Sequence, residues 1–124
     1  MNEREQFGKK ISEFQAMQFK IADMVTELVA ARNMTRLAAF KIYQGHGEAT
    51  TYSAMAKRYA TDVGFNVCNE ALQIFGGYGY IQEYPLERNV RDVRVHQILE
   101  GTNEIMRMII GRRMIMEDAA SIIQ

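Results

Sequence analysis

The sequence predicts an all-α domain, an up-and-down four-helix bundle, and three observations predict it. Apolar residues recur three and four apart over long stretches. Glycine-rich interruptions separate those stretches, and the alternation and turn pairs that mark strands do not recur. With 124 residues, 48% of them apolar, nine Met, one Pro and no Trp, the chain suffices for one core. A single domain over residues 1–124 is therefore expected.

The opening to Ile11 is polar and weakly periodic. Ser12 and Gln15, in S-E-F-Q, form a capping box ahead of Phe14, Met17, Ile21, Met24, Leu28 and Ala31. A long first helix follows, ending near Gln44, where Gly45-His46-Gly47 interrupts it. A second helix from about Glu48 to Phe75 carries Met55, Tyr59, Val63, Val67, Ala71 and Ile74, and Gly76-Gly77 stop it. Gly76 to Tyr84 is expected as a loop rich in glycine and aromatics. Pro85 suits the first turn of a shorter helix through about His96. The last helix begins near Thr102, with Ile105, Met108, Ile109, Met116 and Ala119 on one side. The long helices hold more apolar residues than one small bundle buries, so a partner domain or subunit is expected.

Lys+Arg and Asp+Glu balance at 15 each, which argues against nucleic-acid binding. Cys68 is alone, so there is no disulfide framework and a reducing compartment is expected. No apolar run reaches membrane-spanning length, and the charged opening does not fit a secretory signal. His46 and His96 share no ligand spacing, so no metal site is expected. Cys68 has no nearby base and no Ser/His/Asp arrangement stands out, which disfavours covalent catalysis.

Two stretches can carry chemistry. In ILEGTNEIMRMII, Glu100 stands at a Gly-Thr turn that opens an apolar helix, which Gly101 or Thr102 can cap. Desolvation at such a junction raises a carboxyl pKa toward that of a general base. On the residues alone, the commoner reading of the same Glu100 is a helix-start acid favoured by the macrodipole. In QIFGGYG, glycines at a helix end permit close backbone approach to a ligand, and Gln73 adds an amide. A plain C-cap explains these glycines too, and no strand precedes them as a dinucleotide fingerprint requires. Arg112 lies on the stripe of Ile105, Met108 and Ile109, either snorkelling or facing a buried anion, and Arg4 reads as a surface charge.

Two blocks then carry a resemblance across nearly the whole chain: REQFGKKISEFQAMQFKIADM and ALQIFGGYGYIQEYPLERNVRDVRVHQILEGTNEI. In order and spacing they resemble the C-terminal helical domain of the flavin-dependent acyl-CoA dehydrogenases. The resemblance implies that Glu100 removes the α-proton of an acyl-CoA while the β-hydrogen passes to FAD as hydride. It implies that Thr102, Asn103 and Glu104 touch FAD after the base. Gln73, Ile74, Phe75, Gly76 and Gly77 would reach the adenine and diphosphate side, and Arg4, Phe14 and Gln15 would contact FAD across a subunit boundary. Gly101 and Arg112 would lie on the acyl-CoA side.

A glutamate at position 100 is similar to the short-chain, medium-chain, branched-chain and glutaryl groups, whereas isovaleryl-type and long-chain members take the base from another helix. The resemblance further implies an electron-transfer flavoprotein as electron acceptor, and a homo-oligomer, dimer or tetramer. The location it implies is the cytoplasm of a bacterium or the mitochondrial matrix of a eukaryote. Family members also carry an N-terminal helical domain and a middle β-domain. The chain is accordingly expected to be a truncated or split product, with weak or absent FAD binding alone. A non-enzymatic helical oligomerisation module, or a remnant of such an enzyme, is the alternative.

Overall fold

The computed structural model describes residues 3–116. Four helices dominate: α1 (Gln15–Tyr43), α2 (Ala49–Phe75), α4 (Leu86–His96) and α5 (Asn103–Met116), with a one-turn helix α3 (Gly77–Tyr80) after α2. The all-α class holds, and two elements depart from the sequence expectation. A small antiparallel hairpin, β1 (Glu5–Gln6) and β2 (Lys9–Lys10), opens the described chain. Its turn places Phe7 at φ 55° and Gly8 at φ 75°, the doubly left-handed geometry of a tight hairpin. The stretch expected as a loop from Gly76 contains α3, whose Gly79 packs so closely that an added Cβ would lie 2.6 Å from the Leu72 carbonyl oxygen.

The start of α1 also corrects the sequence reading. Ile11–Glu13 form a 3₁₀ turn and Phe14 is the residue before the helix, without a side-chain cap. Ser12 therefore lies outside the capping position, and its carbonyl accepts from the Gln18 amide at 3.0 Å. The end of α1 follows expectation. Gly45 adopts φ 64°, the Gly45 amide donates to Ile42 and the His46 amide donates to Lys41, the paired bonds of a Schellman motif.

Side-chain pairs fix the directions. Lys20 meets Glu70 and Tyr59 meets Glu27, so α1 and α2 are antiparallel. Gln97 meets Asp62 and Arg94 lies over Phe65, which sets α4 antiparallel to α2 along its second half. Lys57 meets Asn103 and Arg113 meets Glu48, which sets α5 antiparallel to α2 along its first half. The third and fourth long helices therefore follow one another along α2, because the 97–102 link turns without reversing the chain.

The apolar core is thin. Among the described residues, Ala31 and Ala38 of α1, Ala54, Ala56 and Val63 of α2 and Met106 of α5 are buried. Small side chains let the long helices approach closely. Ile21 and Leu28, expected on the inner stripe of α1, are exposed. On α5 the inner face is Asn103, Met106, Ile110 and Arg113, whereas Ile105, Met108 and Arg112 are exposed and Ile109 is half-buried. The expected apolar stripe of α5 thus faces away from α2. Met116 is 79% exposed, and Ala119 lies outside the described residues.

Candidate functional site along one helix

The turn between α4 and α5 holds Glu100 and Gly101 at φ 56° and 88°. A left-handed glutamate is uncommon, because its Cβ crowds the backbone. Thr102 then precedes α5, its hydroxyl accepting from the Ile105 amide at 3.4 Å, so of the two capping residues considered the structure uses Thr102. The desolvated junction expected at Glu100 is not found within this chain. Glu100 is exposed, and its neighbours Ile98 and Leu99 are about half exposed. The local apolar residues point outward instead of closing over the carboxylate, so any dry wall around it must come from outside these residues.

Behind the turn lies a polar cluster. The Lys57 ammonium donates to the Gly101 carbonyl at 2.7 Å and to Asn103 Oδ1 at 2.8 Å. The Asn103 amide donates to Asp62 Oδ1 at 2.7 Å, to the Thr61 hydroxyl at 2.9 Å and to the Arg58 carbonyl at 3.3 Å. Asp62 Oδ1 also accepts from the Gln97 amide at 2.8 Å, and Asp62 Oδ2 lies 3.2 Å from Arg107 and 3.7 Å from Arg58. Burial raises the Asp62 carboxyl, but the Gln97 and Asn103 amides and the two guanidinium groups outweigh it and hold it below the usual carboxylate range.

Asn103 is 3% exposed, so its side chain faces inward, unlike Glu104, which is exposed on the first turn of α5. Glu104 is held below the usual range by its own backbone amide and by the Thr102 hydroxyl. Lys57, Thr61 and Asp62 were not singled out in the sequence. Lys57 and Thr61 stand one helical turn apart on the side of α2 that also carries the buried Ala54.

The second group forms at the far end of α2. Arg4 is half-buried rather than a free surface charge, and its guanidinium donates to the Phe75 carbonyl at 2.8 Å and the Ile74 carbonyl at 3.4 Å. These are open carbonyls of a helix C-terminus, where a cation is favoured. Gly76 sits at φ 63°, and a Cβ there would lie 2.6 Å from Arg4, so this close approach requires glycine.

A cavity of about 330 Å³ is lined by Glu3, Arg4, Ile11, Phe75, Tyr78 and Tyr84, among others. An adjoining one of about 300 Å³ includes Arg4, Gln73, Ile74 and Gly76. Tyr84 packs edge-on against Phe75 and Tyr78, with ring centroids 6.1 and 5.7 Å apart. Phe14 and Gln15 begin α1 at this same end, which the Lys20–Glu70 pair brings beside the close of α2. The tertiary structure thus joins Arg4, Gln73, Ile74, Phe75 and Gly76 in one place. The Glu100 group lies elsewhere, about 20 Å along α2 by helical rise from Asp62 to Phe75.

Arg112 is exposed, while Arg113 turns inward to Glu48, Nε to Oε2 at 3.1 Å, and holds the Glu48 carboxyl below its usual value together with Thr51. Cys68 is half-buried and burial pushes its thiol up. Among the described residues no group of His, Cys, Asp or Glu is arranged to hold a metal, and no helix is long and apolar enough to cross a membrane.

An all-α domain with an acid on a left-handed inter-helix turn beside the middle of the central helix, and a glycine-aromatic cleft at that helix's C-terminal end, defines the class. The chain belongs to the acyl-CoA dehydrogenase C-terminal domain family, whose model matches residues 1–115. It is 49% identical over 114 residues to the mitochondrial isobutyryl-CoA dehydrogenase of Bos taurus, covering 92% of this chain and 27% of that protein. It is 48% identical over 109 residues to the CarC subunit of the caffeyl-CoA reductase–Etf complex of Acetobacterium woodii, covering 88% of this chain and 28% of that one. The fold matches the butyryl-CoA dehydrogenase of Megasphaera elsdenii at TM-score 0.87 and 47% identity, over 91% of this chain and 29% of that chain. The chain therefore spans under a third of the length of these relatives.

Proposed function

We propose that residues 1–124 form the base-carrying domain of an FAD-dependent acyl-CoA dehydrogenase, which works together with N-terminal and middle domains of the kind the family carries. The observation that carries this reading is Glu100, exposed on a left-handed turn within a domain of this family. Removing a proton α to a thioester needs a carboxylate free to reach the substrate and then closed off from water. Glu100 has the reach, and the other domains would supply the closure. Gly101 adjoins the base and would lie toward the thioester, and Arg112, exposed on the outer stripe of α5, would lie toward the same ligand.

The residues at the C-terminal end of α2 fit one wall of a flavin nucleotide site. Gln73 is exposed, nothing lies within 4 Å of where a Cβ on Gly77 would stand, and Phe75 and the tyrosines offer apolar faces. Ile74, Phe75, Gly76 and Gly77 would hold its nucleotide side, with Arg4, Phe14 and Gln15 contributed at the same helix end, and Thr102, Asn103 and Glu104 would lie nearer the reacting ring. The flavin, when bound, supplies hydride acceptance. Glu100 holds the proton on a carboxylate oxygen.

The acyl-CoA substrate is of short or branched chain, in keeping with the isobutyryl- and butyryl-CoA relatives. An electron-transfer flavoprotein is the proposed electron acceptor, in keeping with the Etf complex of the Acetobacterium relative. Location in the mitochondrial matrix or in bacterial cytoplasm follows those same relatives. A second role, self-association as a dimer or tetramer, is favoured by the exposed Phe19, Val25, Val29 and Phe40.

The test uses the complete dehydrogenase that carries this domain. Glu100→Gln is expected to keep FAD, measured by its visible absorbance, and to lower acyl-CoA-driven flavin reduction by at least about 10³-fold. Reduction at the parent rate would remove Glu100 from the mechanism.

A further inference from the structure

Among the described residues, apolar packing reaches the Glu100 turn only from α5, where the Met106 methyl lies close against Gly101. Ile98 and Leu99 are half exposed and Glu100 is exposed, yet the backbone keeps two successive left-handed residues. Something must hold a conformation that a free chain leaves. Among the described residues, polar contacts to α2 and a backbone bond within the turn do this. At one end Gln97 is tied to Asp62, and its carbonyl accepts from the Asn103 amide at 3.0 Å. At the other end Asn103 is tied to Asp62 and Thr61, and between them Lys57 grips the Gly101 carbonyl, one peptide beyond Glu100. All three α2 residues lie within six positions of one another on a single rigid helix.

We propose that Lys57, with Asp62 and the buried amide of Asn103, is a positioning device that clamps the Gln97–Asn103 turn and so fixes where the Glu100 carboxylate stands. This rests on the reading of Glu100 as the α-proton base. It also gives Asn103 a different task from its neighbours, because its side chain is spent inward on three α2 partners and Lys57. Lys57 touches neither substrate nor flavin in this assignment and acts through Gly101. A charge-assisted bond to a backbone carbonyl is stronger than a neutral one, and it sets the peptide plane directly. Small misplacement of a base is costly, since about 1 Å can lower a rate about 10²-fold.

In the complete dehydrogenase, Lys57→Met is expected to lower the flavin reduction rate constant about 10²-fold. Flavin content and the half-saturating acyl-CoA concentration should stay within about twofold, and Lys57→Arg, which keeps a cationic donor, should recover at least about tenfold of the loss. In the 124-residue chain, the hydrogen-bonded amides of Ile98, Leu99 and Asn103 should exchange at least about tenfold faster in Lys57→Met while those of α1 keep their protection. A Lys57→Met rate within about threefold of the parent, or unchanged exchange in the turn, would overturn the proposal. If Lys57→Met does not fold, Thr61→Val removes one anchor of Asn103 and must show the same faster turn exchange, and unchanged exchange there overturns it too. Glu100→Gln measured alongside separates the two readings. Its loss of reduction with a normal Lys57→Met rate sinks the clamp alone. Full reduction in Glu100→Gln sinks the base and with it the purpose of the clamp.

Discussion

Asp62 joins four partners at the break between α4 and α5, and its ionisation is tied to folding. The native carboxyl sits below its ordinary value of 3.8, so the folded state binds this proton less readily than the unfolded chain does. The stabilisation is therefore complete above that ordinary value and is lost as pH falls through the lower native one. Urea midpoints of the chain should drop more steeply below about pH 4 than those of Asp62→Asn, which has no such proton to bind. Equal slopes would mean that the cluster does not depend on the Asp62 charge. Glu100 was singled out in the sequence because the blocks around it resemble those of the family, which turned an ordinary helix-start acid into a candidate base. Lys57 and Asp62 were not, because a helical Lys and Asp read as solvated charges until a third element is laid over them.

For the helices, periodicity located each long element to within a few residues and misjudged which side of α5 is covered. Ile105, Met108 and Arg112 look like an inner stripe because they are mostly apolar, yet α5 lays Asn103, Met106, Ile110 and Arg113 on α2. A hydrophobic pattern records that a face is to be covered, not what covers it. The consequence is measurable in the chain alone. Met106→Ala is expected to cost about 2–4 kcal/mol, since it empties a buried position, whereas Met108→Ala should stay within about 0.5 kcal/mol. Denaturant unfolding of both variants checks this, and the reverse ranking would show that α5 is rotated about its axis. The hairpin β1–β2 was missed for a related reason. Its two-residue strands are too short to show alternation, and Phe7 gives no turn signal at the left-handed position that Asn or Gly commonly fills.

Across the whole molecule, a thin alanine-rich core contrasts with a long apolar outer face. Phe19, Val25, Val29 and Phe40 lie on the side of α1 opposite Ala31 and Ala38. A face of this kind favours association, and the isolated chain has only itself to cover it with. By light scattering the 14.3 kDa chain is expected to run as a dimer or larger, and Val29→Glu combined with Phe40→Glu should return it to a monomer with unchanged helicity. A parent chain that is monomeric at about 100 µM would remove this expectation.

The sequence by itself determined the all-α class, the extent of the long helices, the family and the acid at Glu100, because these depend on local periodicity and on motifs written along the chain. Only the tertiary structure decided that Arg4 closes the end of α2, that Arg113 rather than Arg112 turns inward, and that Lys57, Asp62 and Asn103 meet behind the Glu100 turn. Those facts depend on residues 41 to 71 positions apart reaching one another, and helix packing sets that distance.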